Sequence, residues 1–458
     1  MYYYYVEQIV LFLIAFIGVL VFILLTVVGL RRIKRERYYK RLDHLRDTYR
    51  QILFPVLTNS IPIPEECFGK NVFSVEWYAI EDILFEAIEK KITSLPSITD
   101  VLKRLGYIDI YIMRLQKGNK FQRALAAEKL GKAGALNAVP FLINAIKDKE
   151  REVRTVAARA LGIINEPTSV RLLTDLLIHC LDDPDYVPLR IVKSAIRKYK
   201  REAVQHLIPL LHHSSWRVRG QAADIIGDIG ISMPVEVLIT RLNDTEPDVR
   251  AKVSRALGKI RAKEAVEHLI GRLKDPSWVV RLQSARALGL IGVSDAVYPL
   301  LDLLLDTKWQ VRSAAANSLR KMGSFVIPRL LRTLLQTRDR YAREQIVEEL
   351  QKTDIFDKQV NRLGSRDKKE REEAIILLLA AGNNGCPGLL SKAVRSHTNP
   401  SVRIRLVQIL SLINNPRSAK ILQEVAGEDE NEAVRYAARM ILEKSKDVEI
   451  MGIGGDIF

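Results

Sequence analysis

The feature that most constrains the fold is a pattern that returns about every 31 residues between Phe121 and Val448. Each copy has an apolar residue followed by Arg, a helix rich in Ala and Leu that often closes in Leu-Gly, a turn, and a second apolar helix. One such unit cannot bury both of its apolar faces, so the copies must stack continuously. The pattern predicts an all-α protein, an α-solenoid of about eleven helix pairs. The clearest copies are VRTVAARALGII, VRGQAADIIGDIG, VRAKVSRALGKI, VRLQSARALGLIG and VRSAAANSLRKMG.

One arginine anchors each copy, and these arginines are spaced by 28 to 36 residues. An aspartate often lies six residues before the arginine, as Asp244 does before Arg250, which predicts a ladder of structural Asp and Arg contacts rather than a row of anion ligands. The third repeat departs from this spacing, and the repeats at Arg343 and Arg371 lack Val-Arg, so a bend, an insertion, a binding site or plain drift stays open there. The anchors are Arg123, Arg154, Arg190, Arg219, Arg250, Arg281, Arg312, Arg343, Arg371, Arg403 and Arg435.

These copies resemble the HEAT-like repeats typified by phycobilisome lyases, whose pattern is a polar turn, Val-Arg and an Ala-rich helix ending in Leu-Gly. The resemblance covers about seven tenths of the chain. It implies the solenoid fold but decides little about function, because this family includes chromophore lyases, hydroxylases, nucleic-acid binders and adaptors.

The second constraint is an uncharged stretch from Ile9 to Leu30, long enough for a helix to cross the roughly 30 Å hydrocarbon core of a bilayer. It lacks the basic start, the short core and the small-residue cleavage site of a signal peptide. The flank before it, residues 1–8, has no Lys or Arg, whereas residues 31–50 hold nine Lys or Arg and three Asp or Glu. The positive-inside rule therefore predicts one transmembrane helix at 9–30, with the N-terminus outside and the repeats in the cytoplasm. The membrane-proximal basic residues are Arg31, Arg32, Lys34, Arg35 and Arg37.

The region between the basic segment and the repeats, residues 51–120, predicts a helical N-terminal cap. The prolines and glycine of 59–70 indicate a loop. Two amphipathic helices are expected after it, one from Val75 and one from Ser97. The solenoid is expected at 121–448, and the glycine-rich end, 449–458, is expected to be a flexible tail.

The sequence offers no catalytic chemistry. Its seven histidines form no His-Glu pair and no H-E-x-x-H arrangement, and we find no phosphate-binding loop and no nucleophile elbow. The pair His212-His213 is expected in a solvated turn. The three cysteines, Cys67, Cys180 and Cys386, have neither the spacing nor the number for a zinc site or a disulfide framework. We therefore predict no enzyme activity, no cofactor and no metal.

Three tryptophans occupy equivalent positions, each three residues before an anchoring arginine: Trp216, Trp278 and Trp309. They are expected to line one edge of the array. Stapling neighbouring repeats together is one role for them, and contacting a partner is the other, because Trp and Arg dominate binding hot spots.

These features favour a scaffold or adaptor tethered to the plasma (inner) membrane, which binds a protein partner such as a membrane enzyme, for example a polysaccharide synthase. Binding of nucleic acid or another anionic ligand on a basic face is an alternative, against which the membrane anchor weighs. A lyase-type subunit for chromophore attachment is another, implied only by the resemblance. The oligomeric state and the identity of the partner are left open.

Overall fold

A computed structural model describes residues 2–59, 61–383, 387–413 and 415–450, and within these ranges the chain forms α-helices and short 3-10 helices and no strand. Cys386 and residues 451–458 of the predicted tail lie outside the described residues. The chain divides into two compact units, Met1–His206 and Leu207–Phe458. The all-α prediction is confirmed.

The first unit opens with one long helix, continues with three helices that precede the repeats, and ends with the first repeats. Its helices are α1 (Tyr2–Asn59), α2 (Val75–Glu89), α3 (Leu95–Arg104), α4 (Tyr107–Lys117), α5 (Lys120–Lys132), α6 (Val139–Ala145), α7 (Arg151–Ile164), α8 (Val170–Asp182), α9 (Leu189–Lys198) and α10 (Arg201–Leu207), the last of which crosses the boundary.

The second unit is a series of helix pairs. Its helices are α11 (Trp216–Ile229), α12 (Val235–Arg241), α13 (Pro247–Ile260), α14 (Val266–Arg272), α15 (Trp278–Ile291), α16 (Val297–Asp302), α17 (Trp309–Lys321), α18 (Ile327–Gln336), α19 (Arg340–Gln351), α20 (Ile355–Arg362), α21 (Lys368–Asn383), α22 (Pro387–Ser396), α23 (Pro400–Ser411), α24 (Pro416–Glu428) and α25 (Glu432–Ile450).

Helix α1 runs without a break for 58 residues, about 87 Å at 1.5 Å per residue. Among the described residues it is the one helix long and apolar enough to cross a membrane, and its apolar side chains from Phe16 to Leu30 are exposed. Its later part is amphipathic, because Leu42, Tyr49 and Leu53 are buried in the first unit. One helix therefore contains both the apolar segment and a packed part of the fold.

The helices between α1 and the repeats share an aromatic core. Trp77 of α2 packs against Tyr107 of α4 with ring centroids 4.5 Å apart, and the Tyr107 hydroxyl donates a hydrogen bond to the Trp77 carbonyl oxygen at 2.8 Å. The single helix predicted from Ser97 is wrong. The chain forms α3 and α4 instead, because Gly106 between them adopts a left-handed conformation with φ of 81°.

Every repeat contributes a first helix that carries the anchoring arginine. The eleven first helices are α5, α7, α9, α11, α13, α15, α17, α19, α21, α23 and α25. Ten of them are followed by a second helix, and α25 has none among the described residues. The valine of each Val-Arg pair is buried, as Val249 and Val280 are, so this side chain packs in the core. The arginine that follows it lies near the N-terminal end of the helix.

The Leu-Gly signature marks a close approach of neighbouring first helices. A Cβ atom on Gly258 would lie 2.5 Å from the Cα of Ala287, a distance that real Cβ atoms do not reach. Glycine is therefore required wherever first helices pack this tightly. The same contact occurs at Gly131, Gly162, Gly227 and Gly289. In α17 the equivalent position is Arg320, which forms an ion pair with Glu349 of α19 at 2.7 Å.

Candidate partner-binding edge

The anchoring arginines form a ladder that joins successive turns. Arg250 donates from Nε and Nη2 to the two carboxylate oxygens of Asp275, both at 2.8 Å, and from Nη1 to the backbone oxygen of Asp244 at 2.8 Å. Each such arginine therefore links the backbone of its own turn to the acid of the next repeat. We call an arginine with this acid a closed rung, and the closed rungs are Arg123–Asp148, Arg219–Asp244, Arg250–Asp275, Arg281–Asp306 and Arg403–Asp429.

This pairing differs from the one that the sequence spacing suggests. The aspartate six residues before an arginine offers it a carbonyl oxygen, whereas its carboxylate accepts from the arginine about 25 residues earlier. The carboxylate of Asp275 also accepts the backbone N–H of Ser277 at 2.9 Å and so caps the turn. Burial opposes ionisation of Asp275, but these donors outweigh it and hold the pKa of the carboxyl below its ordinary value.

The rung of Arg154, the second anchor, differs from a closed rung, and its partner in the turn of the third repeat was not predicted from the sequence. Arg154 pairs with no described carboxylate, although Asp183 and Asp185 lie in the next turn, and its Nε donates to the backbone oxygen of Tyr186 at 3.0 Å. The guanidinium carbon lies 4.3 Å from the centre of the Tyr186 ring. The longer spacing to Arg190 thus corresponds to an extended loop that supplies an aromatic ring and a carbonyl in place of a carboxylate.

Three consecutive rungs in the second unit are open. Arg312, Arg343 and Arg371 bond to the backbone of their own turns, and none of them pairs with a described carboxylate. The place of the aspartate in the turn of the next repeat is taken by Thr337, Ser365 and His397. The Nε of Arg312 is buried and has no hydrogen-bond partner, and Tyr341 covers its guanidinium at 5.1 Å.

His213 and His397 occupy the position that the aspartate has in other turns, and both act as caps. His213 Nδ1 accepts the backbone N–H of Ser215 at 3.1 Å, and His397 Nδ1 accepts that of Asn399 at the same distance. Each therefore does for its turn what the aspartate carboxylate does in a closed rung. His212 Nδ1 lies 3.3 Å from Arg241 Nη2, and His212 is exposed, so the pair His212-His213 lies at the turn expected for it.

The three tryptophans begin the first helices of their repeats. Trp216, Trp278 and Trp309 are the first residues of α11, α15 and α17, with 38%, 37% and 63% of their surface exposed. They thus lie at the same end of these helices as the arginine ladder. The equivalent residue is Pro247 in α13, and it is Arg340 in α19. This edge therefore changes from aromatic to basic where the rungs open.

The basic segment after the apolar stretch divides into two parts. Arg31, Arg32, Lys34, Arg35 and Arg37 are exposed. Farther along α1, Arg41 pairs with Glu76 at 2.7 Å, Arg46 pairs with Asp82, and Arg50 pairs with Glu86 at 2.8 Å. Residue numbers rise together in these pairs, so α1 and α2 lie parallel. The second part therefore forms structural contacts with α2, whereas the first part is exposed.

The described part of the chain holds no cluster of three His, Cys, Asp or Glu residues that could bind a metal ion. Cys67 and Cys180 are buried free thiols, and burial raises the pKa of Cys180 to about 11. A thiol with so high a pKa is a poor nucleophile at neutral pH.

The chain matches the profile of HEAT repeats over four stretches, residues 111–197, 204–281, 266–351 and 357–443. Together these cover about seven tenths of the sequence. No curated protein gives a significant match.

Several solved structures show a distant likeness. The complex of CpcE and CpcF of phycocyanin lyase from Nostoc sp. PCC7120 is 20% identical over 59% of this chain and 93% of that chain, with a TM-score of 0.25. Human deoxyhypusine hydroxylase is 18% identical over 63% of this chain and 98% of that chain, with a TM-score of 0.24. Kap121p is 14% identical over 87% of this chain and 56% of that chain, with a TM-score of 0.44.

Proposed function

The chain belongs to the HEAT-repeat family, and on that premise we propose that it is a membrane-tethered scaffold whose cytoplasmic repeats bind a partner protein beside the bilayer. The observation that carries the proposal is the continuity of α1. A single helix contains the exposed apolar segment and, from Leu42 onward, residues that pack in the first unit. Such a helix fixes the first unit with respect to the membrane instead of leaving it on a flexible tether.

The orientation follows from charge. Five exposed basic residues, Arg31 to Arg37, come directly after the apolar segment, and no Lys or Arg comes before it. The positive-inside rule then places the repeats in the cytoplasm, with α1 crossing the plasma (inner) membrane once. These five side chains also carry the favourable interaction with anionic headgroups, about 1 kcal/mol for each charge near the surface.

The partner-binding edge is formed by the exposed tryptophans of the second unit. Trp216, Trp278 and Trp309 recur at the start of α11, α15 and α17. Their exposure supports a role in binding, because a side chain that only joined two repeats would be buried. Large aromatic side chains at the centre of an interface contribute most of the binding free energy in many complexes. A membrane-associated protein is the partner that this arrangement fits best.

The test is cross-linking in living cells followed by affinity purification, with the wild-type chain and the triple variant Trp216→Ala, Trp278→Ala and Trp309→Ala. A matched control changes Phe68, Tyr298 and Phe325 to Ala, which are exposed aromatic residues outside the first helices and therefore away from the edge. We expect one membrane-associated protein to be recovered with the wild type and the control, and lost with the triple variant. Recovery of nucleic acid or pigment in its place would refute the scaffold function.

A further inference from the structure

We propose that the open rungs Arg312, Arg343 and Arg371 bind an extended acidic segment of the partner protein, whose carboxylates take the places of the missing aspartates. This inference deepens the proposed scaffold function and rests on it, because it names the chemistry of the partner and the part of the edge that receives it.

The closed rungs show which ligand the ladder arginine is shaped to hold. At Arg219 and Arg250, Nε and Nη2 each donate at 2.8 Å to one oxygen of the same carboxylate. The guanidinium fork matches the two carboxylate oxygens, so the pair is specific as well as strong. Open rungs present the same side chain at the same helical position, with the carboxylate missing.

The contacts of the open rungs leave donors unused. Arg371 directs Nη1 to the backbone oxygens of Ser365 and Arg366 at 2.9 and 2.8 Å, which is the contact that every closed rung makes with its own turn. Arg343 instead donates from Nε to the oxygen of Thr337 at 2.6 Å, which leaves its two Nη groups without a described partner. The buried Nε of Arg312 has no acceptor. Among the closed rungs only Arg403 shares this feature, because Asp429 accepts from its Nη2 alone.

The acids that remain in these turns do not replace the missing carboxylates. Asp339 accepts the backbone N–H of Ala342 at 2.7 Å, and Asp367 accepts that of Lys369 at 2.9 Å. Both therefore cap their own helices. Glu370 accepts the hydroxyl of Ser365 at 2.7 Å and lies 3.9 Å from Arg362, so it does not pair with an open-rung arginine either. Exposed basic side chains surround them: Arg338, Arg340, Arg366, Lys368 and Lys369. Arg340 and Lys368 pair with Glu344 and Glu372 of their own helices. Arg338, Arg366 and Lys369 are the bases of these turns that remain to attract an anion.

The spacing favours an extended peptide. Stacked helices lie about 8 to 10 Å apart, and an extended chain advances about 3.3 Å per residue, so successive rungs match carboxylates at every third residue. Asp339 and Asp367 interrupt the positive charge, which disfavours a continuous phosphate backbone. The exposed rings of Trp309 and Tyr341 lie beside the first open rung and offer contacts to apolar side chains of such a peptide.

The first experiment measures binding of a fluorescein-labelled synthetic peptide, with Asp at every third position and Ser or Gly between, to the full chain in detergent micelles. The key variant, Thr337→Asp with Ser365→Asp, supplies internal carboxylates to the open rungs. Its control, Ser214→Asp with Thr245→Asp, adds the same charge in exposed turn residues of other repeats. We expect the key variant to weaken binding at least about tenfold and the control to leave it unchanged.

A second variant separates specific pairing from charge attraction. Arg343→Lys with Arg371→Lys keeps both positive charges but removes the guanidinium forks, so it should also weaken binding. A peptide of the same composition with its Asp residues contiguous should bind less well. Equal affinity for wild type and both double variants would overturn the proposal, as would rung-dependent binding of a single-stranded DNA oligomer or anionic vesicles without any binding of the peptide.

These outcomes are separate from those of the scaffold test. If cross-linking recovers a partner that depends on the tryptophans while the acidic peptide fails to bind, the scaffold function stands and the acidic segment is refuted. Loss of the tryptophan-dependent partner, by contrast, would refute the scaffold function whatever the peptide does.

Discussion

The carboxylate of Asp275 accepts two hydrogen bonds of 2.8 Å from Arg250, which lies 25 residues earlier and in the preceding repeat. The side chain of Asp275 is 1% exposed and that of Arg250 is 10% exposed. A contact of this kind joins repeat to repeat, so its loss should loosen the stack locally and leave each helix intact.

Replacing Asp275 by Asn should therefore destabilise the second unit by about 3 to 5 kcal/mol, because it leaves a buried guanidinium without its charge partner. Asp248→Asn is the matched change at an exposed pair, with Lys252, and should cost less than about 1 kcal/mol. Hydrogen exchange of the amides in α13 and α15 measures both effects. Equal protection in the two variants would contradict the role of the rung.

The close approach of first helices predicts opposite effects of two Gly→Ala changes. At Gly258 the new methyl group meets the Ala287 backbone, so we expect a loss of about 1 to 3 kcal/mol as α13 and α15 are forced apart. At Gly271, in α14, nothing lies within 4 Å of the new Cβ, and Ala should stabilise by about 0.4 to 1 kcal/mol. Chemical unfolding of the two variants side by side tests the sign of each change.

Acid should weaken the ladder. Burial raises the pKa of Asp244, Asp275 and Asp306, but the arginines and backbone N–H groups lower it further, so each carboxyl has a folded pKa below its unfolded value of 3.8. A depressed pKa stabilises the fold above the unfolded value, and this stability is lost as the pH falls through the folded pKa. Thermal unfolding should show little contribution of the rungs to the pH dependence above about pH 5, and a declining midpoint below about pH 4.

The charge asymmetry around the apolar segment predicts the topology. In sealed membrane vesicles with the cytoplasmic face inward, the repeats should resist added protease until the membrane is opened. Changing Arg31, Arg32, Lys34, Arg35 and Arg37 to Gln should produce a mixed population, because the orienting charge is reduced. Digestion of the wild-type repeats in intact vesicles of this orientation would reverse the predicted topology.

Much of the fold could be predicted because each repeat has the same packing requirement, so the same residue types recur at the same spacing. Val249, Val280 and Val311 recur at one spacing, and all three are buried in equivalent helices. The break at Gly106 occurs only once, and it lay within a pattern that otherwise continues as an amphipathic helix. A single left-handed glycine leaves no periodic signal, so the helix there was predicted too long.

The candidate site was harder to predict. Trp216, Trp278 and Trp309 and the arginine anchors could be identified because they recur at equivalent positions of the repeat. Thr337 and Ser365 were missed, although the signal was present as the absence of Asp from a place where other repeats have it. Tyr186 was also missed, because its ring and carbonyl act on Arg154 from a loop of irregular length.

By itself the sequence determined the helix-pair repeat, the length and apolarity of the segment within α1, and the positions of the ladder arginines, because local periodicity and composition set these properties. Only the tertiary structure decided which acid each arginine meets. It also revealed that Arg41, Arg46 and Arg50 pair with α2 and that three rungs stay open. These contacts join residues 25 to 36 positions apart across stacked helices, and their geometry depends on how closely the helices pack, which no local pattern specifies.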